Sequence, residues 1–184
     1  MADDINNYCD VAIDNPLHGP YHDAEYGFFG KNEQQLFELL CLEIFQAGLS
    51  WALVLKKRSG TRLAFSDFNV DQVASFSQSD IDRLLSDARI IRNQLKIKSI
   101  IHNAKVFQDL RTSHGGFVNW LDAHHPLTHP EWVKIFKKTF KFTGPEVVNE
   151  FLMSAGYLKG AHRETCPVYQ KIAKTMPPWM RDQS

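Results

Sequence analysis

The densest apolar stretch of the chain lies between Leu36 and Phe45, where Leu36, Phe37, Leu39, Leu40, Leu42, Ile44 and Phe45 leave almost no polar face. Such density predicts a helix buried in a core rather than one lying on a surface. Downstream, the apolar spacing predicts a helix near Ser50 to Lys57 and another from Arg62 to Phe68, with Phe65 and Phe68 turned inward. Asn69 offers a cap for a short helix through Val73 and Phe76, and Ser79-Asp80-Ile81-Asp82 resembles a capping box that opens a helix to about Asp87. After a tight link from Ala88 to Arg92, a long helix runs from Asn93 to about Leu110. Its apolar stripe is Ile97, Ile100, Ile101, Ala104 and Phe107. Ser113 to Gly116 reads as a loop, Phe117 to Leu121 as a helical turn, Pro130 to Lys138 as an amphipathic helix and Glu146 to Tyr157 as the last main helix. Residues 1 to 30 are rich in turn formers and poor in periodic apolar positions, so they read as an irregular arm with a short helix around Pro20 to Tyr26. Beyond Pro167 the pattern supports a short helix and a tail. No strand-like alternation or repeat occurs, and the predicted fold class is all-α.

One residue contradicts this pattern. Glu43 shares a helical face with Leu36, Leu39, Leu40 and Ala47, so its carboxylate points where leucine is expected. An ionised carboxylate buried without partners costs several kcal/mol, roughly. Glu43 therefore turns to solvent at a frayed helix end, pairs with a buried cation or backbone amides, or serves a binding site. The residues after it favour a site: Gln46, Ala47, Gly48, Leu49 and Ser50 break the helix with small and polar groups, and Trp51 then presents an indole. Gly48 suits a turn and Ser50 a helix cap. A carboxylate, an amide and an aromatic plate beside a glycine kink can line a pocket for a flat polar ring.

Composition narrows the class. With 184 residues and 43% apolar content, the chain can bury a core as a single domain spanning 1-184. It contains no apolar run near 18 residues and no basic-then-apolar leader, which predicts a soluble, cytoplasmic protein with no membrane partner. Three cysteines are too few, and odd in number, for a disulfide framework. Cys41 sits in the apolar helix and reads as a small core residue. Twenty-one basic residues balance 21 acidic ones, so net charge offers no sign of nucleic-acid binding. Basic clusters exist at Lys56 to Arg58, at Arg89, Arg92, Lys96 and Lys98, and at Lys134 to Lys141. Each is either a solvated helix face or a local anion-binding surface.

Two further constellations carry chemistry. The helices flanking Ala88 to Arg92 form a short hairpin that aims backbone N–H groups and a helix N-terminus at one point. That arrangement suits a DNA phosphate, although an ordinary helical hairpin has the same pattern. Cys9 and His22 stand 13 positions apart in the arm, and His162 and Cys166 form an H-x-x-x-C pair near the other end. In a helix the latter pair shares one face, and two thiolates with two imidazoles suit tetrahedral Zn²⁺. Eight histidines in the chain make chance spacing the competing explanation.

The segments YHDAEYG, CLEIFQAGLSW, DARIIRNQLKI and FKFTGP, in this order from about Cys9 to Cys166, resemble the bacterial DNA-3-methyladenine glycosylase I family. The resemblance implies a helix-hairpin-helix, glycosylase-like bundle with a zinc site tying the N- and C-terminal segments. It implies a monomeric DNA repair enzyme that flips 3-methyladenine out of double-stranded alkylated DNA and hydrolyses the N-glycosidic bond, releasing the free base and leaving an abasic site. By the same resemblance Glu43 is the catalytic carboxylate, and Tyr21, Glu43 and Trp51 bind the base. Arg89, Arg92, Lys96 and Lys98 face DNA. Cys9, His22, His162 and Cys166 hold one structural zinc per chain. Adenine methylated at N3 is cationic, so a desolvated carboxylate and electron-rich rings favour it over adenine. This chain departs from the family at Arg89, where glycine is usual in the hairpin, and at Val11 and Tyr26, where tryptophan is usual. Like that family, which lacks the Asp that the helix-hairpin-helix superfamily often uses just beyond the hairpin, it offers no carboxylate in that region. A non-catalytic DNA-damage-binding module and a zinc-stabilised helical scaffold for protein partners are the alternative readings.

Overall fold

The computed structural model describes residues 8–181, and among them every regular element is helical. The chain divides into two compact units, one made from its two ends, up to Lys31 and from Glu150 onward, and one from Asn32–Asn149.

The central unit begins with α3, Glu33–Gln46, which follows the short helices α1 (Tyr8–Ala12) and α2 (Gly19–Ala24) of the terminal unit. Asn32 starts α3 through a reciprocal capping box with Gln35, so the helix opens three residues before its apolar run. Every residue from Leu36 to Phe45 is buried, as the continuous hydrophobicity predicted. Helix α4, Trp51–Ala64, is capped by Ser50, whose hydroxyl accepts from the Leu53 amide. It runs well past the predicted end at Lys57 and absorbs Arg62. Ser66–Phe68 is a left-handed 3₁₀ turn with φ of 52°, 54° and 56°, not the end of a helix. That turn still buries Phe65 and Phe68, whose rings stack 5.9 Å apart.

Helix α5 is Val70–Ala74 under its Asn69 cap. Helix α6, Gln78–Ser86, begins one residue before the predicted box. Its cap is Ser77, reciprocated by Asp80, because Asp80 three residues after Ser77 reaches back to the Ser77 amide at 2.9 Å. Helix α7, Gln94–His114, ends at Gly115, whose φ of 75° is the left-handed conformation that a helix C-terminus favours in glycine. Then follow α8 (Phe117–His124), α9 (His129–Thr139) and α10 (Pro145–Ala155). The centre of this unit is aromatic. Phe107 on α7 packs against Phe37, Phe117 and Phe140, with centroids 5.1, 4.4 and 5.8 Å away. Trp120, Trp132 and Phe136 extend the cluster between α8 and α9.

The terminal unit joins α1, α2, the end of α10, α11 (Tyr169–Ala173) and α12 (Pro178–Arg181). Its helices after α10 are four or five residues long, so they present little continuous apolar face. Cys9, Cys166, Val168 and Ile172 form a small buried apolar cluster within it. Polar groups do much of the remaining joining. The Lys31 ammonium donates to the carbonyls of Glu25 and Ser154, each at 2.8 Å, and to that of Phe28. Tyr26, in place of tryptophan, donates its hydroxyl to Glu150 at 3.2 Å and packs on Tyr8 and Tyr21.

Candidate functional site

Glu43 is 3% exposed on α3, so the reading of a frayed, solvent-facing end does not hold. The helix ends at Gln46 with Ala47 as its cap. Gly48 then takes a φ of +79°, which makes the glycine necessary for the turn into Ser50. Trp51 is the first residue of α4, partly exposed, and the short link of Ala47 to Ser50 joins it to the helix that carries Glu43. Beside this link is a cavity of about 570 Å³ lined by Ala47, by Lys137 of α9 and by the segment Phe140–Val147.

A second buried carboxylate on α3 has no counterpart in the sequence reading. Glu38 is 6% exposed and accepts from Arg58 Nε at 2.8 Å and from Arg62 Nη1 at 3.2 Å, both on α4. Glu38, Cys41, Leu42 and Phe45 share one helical face, a signal as visible as the one that singled out Glu43. Glu38 is thus an inter-helix ion pair, the structural role that had also been open to Glu43.

The hairpin is formed by α6, the link from Asp87 to Asn93, and α7. Asn93 caps α7 by accepting from the Lys96 amide at 3.1 Å. Arg89 is clasped by its neighbour: Nε donates to Asp87 Oδ1 at 2.9 Å and Nη2 to Asp87 Oδ2 at 2.8 Å. That guanidinium holds the Asp87 carboxyl down at about 2. Lys57 donates to the Ala88 carbonyl at 2.7 Å, and Gly60 on α4 lies under the link, where an added Cβ would stand 2.7 Å from that of Arg89. Arg92 and Lys98 are exposed, as a DNA-facing flank requires. Lys96 is a correction to that expectation: it is 3% exposed and donates to the carbonyls of Phe45 at 2.8 Å and Ala47 at 2.6 Å. It lies on a face with Ile100, Asn103 and Phe107, which the apolar stripe contained and the grouping by charge concealed.

In the terminal unit Cys9, His22, His162 and Cys166 come together, all buried, with their candidate ligand atoms within 4.8 Å of one another. His162 Nδ1 is 3.7 Å from Cys9 Sγ and 3.4 Å from Cys166 Sγ, and His22 Nε2 is 3.6 Å from Cys166 Sγ. Tetrahedral bonds of about 2.3 Å to sulfur and about 2.05 Å to nitrogen imply sulfur–nitrogen edges of roughly 3.6 Å, so the donor set fits. The outer ring atoms are held too. His162 Nε2 donates to the Tyr26 carbonyl at 2.9 Å, and His22 Nδ1 lies 2.7 Å from the Asp23 carboxylate, which leaves the other nitrogen of each ring for a metal. Burial lowers His162 to about 4 and raises the Cys9 thiol to about 11. A positive ion among these groups would reverse the second effect. His162 and Cys166 sit in turns, not in the helix that their spacing suggested; a backbone bond from the Cys166 amide to the Arg163 carbonyl, 2.9 Å, folds one back on the other.

Also in this unit, Tyr21 is buried with its hydroxyl 2.7 Å from that of Ser154. Tyr26 packs 5.6 Å from the His162 ring, whereas Val11 is 49% exposed on α1.

The described residues thus combine an all-helical fold with a braced hairpin, a buried carboxylate beside a glycine turn and a buried thiol–imidazole cluster. The chain belongs to the methyladenine glycosylase family, whose model matches residues 11–134. It is 33% identical over 180 residues to DNA-3-methyladenine glycosylase 1 of Escherichia coli (strain K12), covering 88% of this chain and 96% of that protein. The crystal structure of a tyrosine-to-phenylalanine variant of 3-methyladenine DNA glycosylase I in complex with 3-methyladenine superposes with a TM-score of 0.81. It has 30% sequence identity and covers 89% of this chain and 98% of its own. A Staphylococcus aureus 3-methyladenine DNA glycosylase I structure, described as showing the basis of 3-methyladenine recognition, gives 0.80 at 30% identity, covering 89% and 96%.

Proposed function

We propose that this chain is a DNA-3-methyladenine glycosylase that extrudes 3-methyladenine from alkylated double-stranded DNA and hydrolyses its N-glycosidic bond. The observation that carries the reading is Glu43, a carboxylate 3% exposed on the most apolar helix of a methyladenine glycosylase family member. A desolvated negative charge discriminates a cationic purine from its neutral parent by far more than the same charge in water. N3-methylation also makes the base a good leaving group, so protonating it contributes little. The protein's work is to hold the extruded base, stabilise positive charge developing on the sugar and admit water. Trp51 is assigned as a stacking face; the assignment of Tyr21 to the base rests on the family resemblance.

Arg92, Lys98 and the hairpin amides are assigned to DNA phosphates, with Arg89 exchanging its Asp87 partner for phosphate oxygen. The four ligands of the terminal unit are assigned to one structural Zn²⁺, which would supply folding energy rather than chemistry. The fit of the sulfur–nitrogen edges to tetrahedral geometry supports that choice over an oxygen-loving cation.

Base release from methylated duplex, with the product identified by chromatography, tests the reading directly. Wild-type protein should release free 3-methyladenine. Glu43→Gln should release it more slowly and bind the free base more weakly by about 1.5–3 kcal/mol, the value of a hydrogen bond to a charged group, while melting at the same temperature or higher. A destabilised variant with wild-type affinity for the base would make Glu43 a structural residue and remove the pocket from this helix.

A further inference from the structure

Lys96 is the unexplained charge of the central unit. It lies in the first turn of α7, where the positive end of the helix dipole disfavours a cation, and it is 3% exposed, so neither its own helix nor water accounts for it. Its partners do. The ammonium donates to the carbonyls of Phe45 and Ala47, in the last turn and cap of α3, groups that a helix end leaves without intrahelical partners. The Phe142 ring lies 5.7 Å from the nitrogen, so two carbonyls and an aromatic face surround its three N–H bonds.

The ring itself is held at a cost. Phe142 has a φ of 62°, a conformation that L residues with bulky side chains rarely adopt. The preceding residue is pinned there by buried Asn103, which donates to the Lys141 carbonyl at 3.0 Å and accepts from its amide at 2.8 Å. Asn103 and Lys96 stand on the same face of α7, so one helix fixes both the strained segment and the end of α3.

We propose that Lys96 is a positioning residue: it locks the turn between Glu43 and Trp51 to the first turn of the hairpin helix, so that the place where DNA is gripped fixes the place where the extruded base is read. This rests on the glycosylase reading above. Lys96 touches neither phosphate nor base. It acts through the Ala47–Ser50 link, whose path sets the relation of the carboxylate to the indole.

The test is single-turnover base release from methylated duplex, beside duplex affinity across a salt series and thermal melting, for wild type, Lys96→Met and Phe142→Leu. Lys96→Met should slow release per folded molecule by ten- to roughly 100-fold, the scale expected of an ångström of misplacement. Duplex affinity and its salt slope should stay within about twofold of wild type, because no phosphate contact is lost. Phe142→Leu, which keeps the lysine and removes the ring, should slow release in the same sense but less. Unchanged release with only a lower melting temperature would overturn the proposal by making Lys96 merely structural. Weaker duplex binding with a shallower salt slope would overturn it by making Lys96 a phosphate contact. If Lys96→Met does not fold, Phe142→Leu decides: slower release supports the lock and wild-type release refutes it. A wild-type protein that releases no base would defeat the glycosylase reading first, before any variant is compared.

Discussion

The two units of this chain are held by different physics. The central unit buries a continuous aromatic cluster between helices of up to 21 residues, so its cohesion is dispersed over many side chains. The terminal unit has short helices and a smaller apolar cluster, and much of its cohesion lies in a few polar junctions: the buried Cys9, His22, His162 and Cys166, Lys31 on three carbonyls, and Tyr26 on Glu150. Dispersed packing degrades gradually under substitution. Concentrated junctions fail one at a time and completely, and that difference is open to direct measurement.

The largest effect should come from the ligand cluster. Chelation, or Cys9→Ala, should unfold the terminal unit with a loss on the order of 10 kcal/mol of binding-coupled stability if zinc is held as proposed. The purified protein should contain one zinc per chain, and protease cleavage should be confined to the terminal segments. Substoichiometric zinc together with unchanged melting of the alanine variant would end the zinc assignment. In the metal-free protein acid acts in the same direction. His162 is lowered from 6.5 to about 4, so between these values the unfolded chain binds a proton that the folded one does not. Stability is therefore complete above about pH 6.5 and is lost as pH falls toward 4. Protection of terminal-unit amides should fall before that of the central unit.

Next in size, Phe107→Ala removes the ring at the junction of Phe37, Phe117 and Phe140 and should cost about 3–5 kcal/mol in denaturant unfolding, whether or not metal is present. Metal dependence of that loss would mean the units do not differ as described. Smaller again is Glu38→Gln. It leaves Arg58 and Arg62 facing a neutral amide and should cost roughly 1–3 kcal/mol while base release is unaffected, the opposite of the outcome expected for Glu43→Gln five residues along the same helix. The smallest effect belongs to the flank: Arg92→Ala or Lys98→Ala should leave melting in place and reduce the salt slope of duplex binding by about one per lost phosphate contact.

The helices of the central unit were legible because their apolar periods are long and uninterrupted, and α3, α7 and α9 lie where the pattern puts them to within a few residues. Their ends were less so: Ser77 rather than Ser79 caps α6, because the partner of a cap is known only when the backbone brings Asp80 back onto it. Ser66–Phe68 could not be read as left-handed, since its residues carry no glycine signal. In the candidate site, Glu43 stood out as a charge among leucines, whereas Lys96 was hidden by the company of Arg92 and Lys98 even though its spacing from Ile100 and Phe107 is that of a core position. The ligand set drew its force from the family resemblance. Spacing alone could not bring Cys9 to Cys166, since that approach depends on turns at both ends that no local rule predicts.

The discontinuity of the terminal unit bears on how the protein is made. Residues 32–149 form one uninterrupted segment that can begin to fold while the chain is still emerging, at about 5–20 residues per second. Cys9 and His22 emerge early and must wait, unpaired and thiol-bearing, until His162 and Cys166 are synthesised near the other end. The cluster is therefore completed late, after the helix that carries Glu43 has had time to find its place. With zinc held as proposed, maturation of this chain would end with metal capture rather than with packing, after an interval in which the central segment can fold but the two ends have not yet been joined.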